Sequence, residues 1–230
     1  MYRTEAYTAP GAFSCEVYSD HDVWLANRGK GIGGSDAAAL VDCSRFKSLQ
    51  DLWAEKVMNR KSLVGGPNVA YGTKAEDALR ILFQCRHDPE CGASEPLEVH
   101  YIPDACLISK ADPWRRYSPD GLLYDPDSGK YGILEIKTSQ ANNSSKLKEW
   151  EHGVPIEYYL QILHGLIVTG FDFVVLTAEI RDWTGDIRII ERRYDRSAVL
   201  QDLEALEQEE RRNWEKYFVK KQMPGIGFEL

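Results

Sequence analysis

Apolar and polar positions follow two rhythms along this chain, one helical and one extended. After an irregular stretch over residues 1–20, short helices are predicted over Asp22–Asn27 and Asp36–Val41, and Leu49–Met58 (LQDLWAEKVM) keeps helical spacing. A loop around GGPN leads into Ala70–Phe83, where Ala75, Ala78, Leu79, Leu82 and Phe83 fall on one face of an amphipathic helix. The rhythm then changes: PLEVHYI, ACLISK, RYSPDGLLY and YGILEIKTS read as short strands broken by Pro, Gly and Asp. IEYYLQILHGLIV is mostly apolar and reads as a buried helix, and FDFVVLTAEI and IRIIERRY are two more strands. Ala198–Lys221 is a long charged helix with Glu and Arg at supporting spacings. This order predicts one mixed α/β domain over residues 1–230, of the α+β kind, with 198–230 as its C-terminal helix and tail.

Composition narrows the class. With 230 residues, 43% of them hydrophobic and 28% charged, the chain is long enough to bury a proper core. No apolar run approaches the length of a membrane span, and MYRTEAYTAPGAF lacks the layout of a signal peptide, so no membrane partner is expected. Five scattered cysteines suit a reducing cytoplasm. A formal charge of −8 argues against a large nonspecific nucleic-acid surface, though not against a local one.

The stretch RGKGIGGSDAAALV contains Gly29, Gly31 and Gly34 at the G-x-G-x-x-G spacing of dinucleotide-binding loops. The preceding DVWLANR does not read as a buried strand, so that fingerprint lacks its first requirement. The next residues, DAAALV, suit a helix capped by Ser35, with Asp36 at its positive end. With Arg28 just upstream, the segment reads either as an anion site suited to phosphate or as a plain loop and capped helix.

More chemistry lies in ILEIK, where alternation puts Glu135 and Lys137 on one strand face and Leu134 and Ile136 on the other. Asp120, in SPDG, starts the preceding strand, so two carboxylates can converge beside one ammonium. Two such charges about 4 Å apart repel by roughly 4 kcal/mol at an effective dielectric near 20. A glycosidase relieves this by keeping one acid protonated, which a neighbouring Lys137 opposes. A hard divalent cation relieves it directly, leaving the ammonium to orient water and stabilise charge at a scissile phosphate. Phosphodiester hydrolysis is the better match.

At this point the sequence resembles a known family. SPDG followed by LEIK is similar to the PD-(D/E)XK nuclease signature, and the surroundings resemble its YqaJ branch of viral recombinase exonucleases, typified by phage lambda exonuclease. The pieces occur in family order from Trp24 to Glu179: an arginine, GGSDAAAL, YGTKAEDALRILF, SPDGLL, LEIK and YYLQILHGLIVTG. The resemblance implies a restriction-endonuclease-like core and 5′-to-3′ degradation of one strand of duplex DNA. It implies Asp120 and Glu135 as metal ligands with the Ile136 carbonyl, Lys137 beside the nucleophilic water, and Glu76 completing the metal cluster. Gln161 is implied near the active site, one turn after Tyr158, and Arg28 and Ser35, with Ser118, as the grip on a 5′-phosphate. From residue type alone, Glu76 reads better as an ordinary first-turn glutamate and Gln161 as a core hydrogen-bonder, so their functional roles rest on the resemblance.

The resemblance further implies Mg²⁺, with Mn²⁺ as the alternative and two ions in the site. It implies DNA ends as substrate, a single-strand annealing protein as partner, and a homotrimeric ring whose channel could be lined by Lys30, Arg45 and Lys47. Two other readings stay open: a PD-(D/E)XK endonuclease or nickase, and a noncatalytic DNA-end-binding module. CRHDPEC offers Cys85, His87 and Cys91 without the paired spacing of a zinc site, and Trp114, Arg115 and Arg116 form either a DNA grip or an exposed turn.

Overall fold

The computed structural model describes residues 11–60 and 65–225. In chain order the elements are β1 (Phe13–Val17), α1 (His21–Arg28), α2 (Gly34–Leu40), α3 (Leu49–Val57), α4 (Pro67–Arg86), β2 (Glu98–His100), β3 (Ala105–Ser109), β4 (Arg116–Tyr117) and β5 (Gly121–Asp125). Next come β6 (Lys130–Ala141), α5 (Ser144–His152), α6 (Ile156–Thr169), β7 (Phe173–Asp182), β8 (Ile187–Asp195) and α7 (Leu200–Asn213), the last running on as a π-helical turn over Trp214–Val219.

The main sheet has the order β2-β5-β6-β7-β8. Its one parallel pair, β6 and β7, needs a crossover, which α5 and α6 supply. Odd-numbered Ile133 and even-numbered Leu134 and Ile136 of β6 face opposite sides. Ile133 packs with Leu163 and Leu166 of α6, and Leu134 and Ile136 pack with Leu79 and Phe83 of α4. A small sheet, β1-β3-β4, lies apart, and a third apolar cluster joins Leu40 and Leu52 to Phe218 near the C-terminal helix. This mixed sheet flanked by helices is the expected fold class.

Several expectations shift. The irregular N-terminal stretch contains β1, whose register against β3 pairs Phe13 with Ser109. RYSPDGLLY is not one strand: β4 belongs to the small sheet and β5 to the large one, because Pro119 has no N–H to continue a ladder. Helix α4 begins earlier, with Pro67 in its first turn, and buries a narrower stripe of Leu79, Arg80 and Phe83 while Ala78 and Leu82 face solvent. Helix α5 has no counterpart among the elements expected from sequence, since only Leu147 and Trp150 of it are buried, too few to show a period. The tail beyond residue 225 lies outside the described residues.

Arg115 does not lie on an exposed turn. It is 1% exposed and donates to Glu210 (2.8 Å), which is fully buried, and to Asp112 (2.5 Å). The other Glu210 oxygen lies 2.7 Å from His164 Nδ1, and His164 Nε2 donates to the Arg116 carbonyl at 3.1 Å. Helix α7 is thereby tied to α6 and to β4. Burial alone would push the Glu210 carboxyl up, but His164 and Arg115 outweigh it and hold it below its ordinary value. A depressed carboxyl contributes fully at neutral pH and loses that contribution as pH falls through the folded value. Glu210→Gln should lower the unfolding free energy by about 3–5 kcal/mol at neutral pH. In urea melts across pH, its gap from wild type should close below about pH 4.

Candidate active site

The strands β5 and β6 pair as far as Gly121 opposite Leu134 and then part. Asp120 stands at that fork, and its carboxylate accepts the Ile136 N–H at 2.7 Å, taking the place of the missing strand. The Ile136 carbonyl leaves β6 on the same edge, as both polar groups of a strand residue do. Glu135, 1% exposed, points to the α6 side of the sheet. One of its oxygens accepts from Lys137 Nζ and from Gln161 Nε2, both at 2.5 Å, and the other accepts from the Tyr117 hydroxyl. Lys137 also lies 5.5 Å from the centre of the Tyr158 ring.

Charge in this pocket is unbalanced. Burial and then the Glu135 charge drive the Asp120 carboxyl well above its ordinary range, against the pull of Lys137. Burial would depress Lys137, yet Glu135 and Asp120 hold it above its ordinary value, so it stays an ammonium. Glu76 is raised by burial; Arg80 opposes this, and Asp77 and Glu135 add to it. Among the described residues no three His, Cys, Asp or Glu side chains form a cage that would enclose a metal alone. Asp120, Glu135 and the Ile136 carbonyl still fit a divalent ion of the Mg²⁺ type, which keeps several waters and needs only one or two carboxylates. Two acidic groups, half-buried Asp120 and buried Glu135, thus stand against one ammonium, and Asp120 resists ionising there unless a cation such as this one offsets the charge.

Glu76 stands at the margin, held by Arg80 at 2.6 Å. That arginine was missed from sequence, although it follows Glu76 by one helical turn. It is buried, donates to the Asp120 carbonyl at 2.6 Å, and stacks on Tyr101 with 3.5 Å to the ring centre. Tyr117 was missed as well. Its ring sits between α2 and α6 where a Cβ on Gly34 or Gly165 would come within 2.9 Å or 2.8 Å of ring carbons.

The glycine-rich loop therefore has a packing role. A Cβ on Gly31 would lie 2.2 Å from the Trp114 carbonyl oxygen, which accepts the Ile32 N–H, while Arg116 N–H donates to Ile32. The N–H groups of Gly29, Lys30, Ile32 and Gly33 are taken up within the protein. Nor is Ser35 the cap: Gly33 caps α2, and the buried Asp36 answers the helix end while pairing with Lys47 and Lys56 at 3.0 Å each. The Ser35 hydroxyl is left to accept from Arg28 at 3.4 Å.

Arg28 and Arg116 make no ion pair among the described residues. Buried Nε and Nη1 atoms of Arg116 and the buried Ser118 hydroxyl make no hydrogen bond of good geometry; the weak acceptor they approach is the Cys106 thiol. Both arginines act electrostatically on the buried Cys106 thiol, and Arg28 acts on Tyr117 as well, so this positive corner adjoins the acidic one. Arg45 and Lys47 are different: Arg45 is tied to Glu149 and Glu157, and Lys47 to Asp36 and Glu55, so neither is a free lining charge. His87 is held by the Glu95 carbonyl (2.9 Å) and Glu191 (3.1 Å), while Cys85 and Cys91 are exposed thiols.

The model of the YqaJ-like viral recombinase domain matches residues 23–172, spanning every residue of both corners. The chain belongs to this family. Protein YqaJ of Bacillus subtilis (strain 168) is 30% identical over 154 residues, covering 66% of this chain and 43% of the relative. The chain thus spans less than half the length of that relative. Among solved structures, the alkaline exonuclease LHK-Exo from Laribacter hongkongensis superposes with a TM-score of 0.55 at 19% identity, over 87% of this chain and 97% of that one. The same enzyme in complex with dAMP gives 0.53 at 18% identity, over 88% and 97%. These likenesses show the family's fold.

Tyr117→Phe keeps the ring in its slot and removes only the hydroxyl that donates to Glu135. Losing a hydrogen bond to a buried charged group should cost about 1.5–3 kcal/mol, read as a shift in the urea midpoint with an unchanged slope.

Proposed function

We propose that this protein is a divalent-metal-dependent deoxyribonuclease of recombination that degrades one strand of linear duplex DNA, 5′ to 3′, from a phosphorylated end. The observation that carries the reading is the half-buried Asp120 and the buried Glu135 standing together beside the Lys137 ammonium. There Asp120, Glu135 and the Ile136 carbonyl would hold Mg²⁺, or Mn²⁺ in its place, and Glu76 would serve a second ion. Such an ion supplies Lewis acidity at the phosphoryl oxygen and makes bound water nucleophilic near neutral pH. Lys137 orients that water and offsets negative charge growing on the phosphate. Gln161 and Tyr117 keep the Glu135 carboxylate in one orientation, donating to it from α6 and β4.

The second corner fits a phosphate monoester. Arg28, Ser35 and Ser118 grip a 5′-phosphate, and the weakly partnered atoms of Arg116 and Ser118 are what an anion would satisfy. Hydrolysis with the bond to O3′ breaking leaves a new 5′-phosphate on the shortened strand, so the same grip serves every cycle. A homotrimeric ring and a single-strand annealing partner complete the proposal on the strength of the family.

With linear duplex and Mg²⁺ or Mn²⁺, mononucleotides should be released, and EDTA should abolish the release. Covalently closed circles should survive; their cleavage would favour an endonuclease or nickase. Lys137→Ala should slow cutting by about 100- to 1000-fold with DNA binding largely kept. Binding without cleavage by wild type would leave only an end-binding module. Arg28→Ala should slow digestion of 5′-phosphorylated ends more than of 5′-hydroxyl ends, and equal slowing would remove Arg28 from the phosphate grip.

A further inference from the structure

The loop between α2 and α3 holds a large aromatic ring in solvent beside the acidic pocket. Phe46 is 62% exposed, in a segment that is otherwise firmly anchored. The Arg45 backbone N–H and Nε donate to Glu157 at 3.0 Å and 2.7 Å, and its guanidinium also reaches Glu149. Ser44 Oγ accepts the N–H groups of both Phe46 and Lys47, and Lys47 is locked to Asp36 and Glu55. Phe46 therefore projects from a rigid base.

Its one aromatic neighbour in the described residues connects it to the chemistry. The Phe46 and Tyr158 rings lie 6.1 Å apart, Tyr158 stacks on the buried Trp150 at 5.5 Å, and the Tyr158 ring faces the Lys137 ammonium. A row of rings thus runs from the Trp150 core, past Lys137, to an exposed edge. Core packing does not explain that last ring, whose burial is minor. A π-face fixed at the rim of a phosphodiester site is what an unpaired nucleobase stacks on, whichever base it is.

We propose that Phe46 is a positioning residue that stacks on a nucleobase of the strand being degraded, next to the scissile phosphate. This rests on the nuclease reading above. Stacking on one base is worth a factor that sets the expected size: Phe46→Ala should lower kcat/KM on linear duplex by roughly 5- to 150-fold. Phe46→Trp should retain activity, whereas Phe46→Leu, apolar but without a π-face, should behave like the alanine variant. A substrate with an abasic nucleotide at the stacked position should erase the difference between wild type and Phe46→Ala.

A readout independent of cleavage uses duplex ends carrying 2-aminopurine, bound in EDTA. Wild type should quench the fluorescence at one position near the end, and Phe46→Ala should not. Equal kcat/KM for wild type and Phe46→Ala, or full rescue by Phe46→Leu, would overturn the proposal while leaving the nuclease reading intact. So would unchanged DNA kinetics together with a concentration-dependent self-association that Phe46→Ala abolishes, which would make the ring a contact between copies. Failure of wild type to cut or bind DNA would overturn both.

Discussion

The site depends on one buried carboxylate. Glu135 of β6 accepts from Lys137 of the same strand, from Gln161 of α6 and from Tyr117 of β4, so three elements converge on two oxygen atoms. Burying an anion is costly unless its lone pairs are answered. The elements that carry the answering donors cannot drift without leaving that charge bare. Asp120 adds a second such demand, met through the Ile136 N–H where β5 and β6 part. The acidic corner is therefore a product of strand divergence: a ladder continued past Leu134 would have spent the backbone groups that Asp120 and its surroundings use.

Close approach of backbone to ring is the companion constraint. Tyr117 reaches Glu135 only because Gly34 and Gly165 leave room on either side of it, and Gly31 lets the loop lie against Trp114. Two of the three glycines that mimic a nucleotide-binding fingerprint, Gly31 and Gly34, are thus spacers for β4 and its approach. By fixing β4 they also set Arg116 and Ser118 beside Arg28 and Ser35, so one packing requirement places both the acidic and the positive corners.

Much of this was legible in the sequence. Alternation in ILEIK placed Glu135 and Lys137 together, and the run of IEYYLQILHGLIV gave the buried helix bearing Gln161. What stayed hidden was relational. Tyr117 lies in a strand of only two residues, too short for any period, and its role exists only through a partner 18 positions on. Arg115 looked like a DNA grip or an exposed turn because two of its acidic partners, Glu207 and Glu210, lie more than 90 positions away in the long charged helix. Ser35 looked like a cap because the true cap, Gly33, has no side chain to signal it. The stripe of α4 was drawn too wide because Ala78 and Leu82 match the period yet meet no neighbour.

The tie between Arg115 and Glu210 has a consequence for how the molecule is made. During synthesis β4 emerges long before α7, so Arg115 starts with Asp112 alone and gains Glu207 and Glu210 only when the late helix arrives. Until then the segment leading into Tyr117, whose hydroxyl is one of three donors to Glu135, is held by fewer ties. The last helix to be made therefore completes a network of contacts that reaches back to the acidic corner.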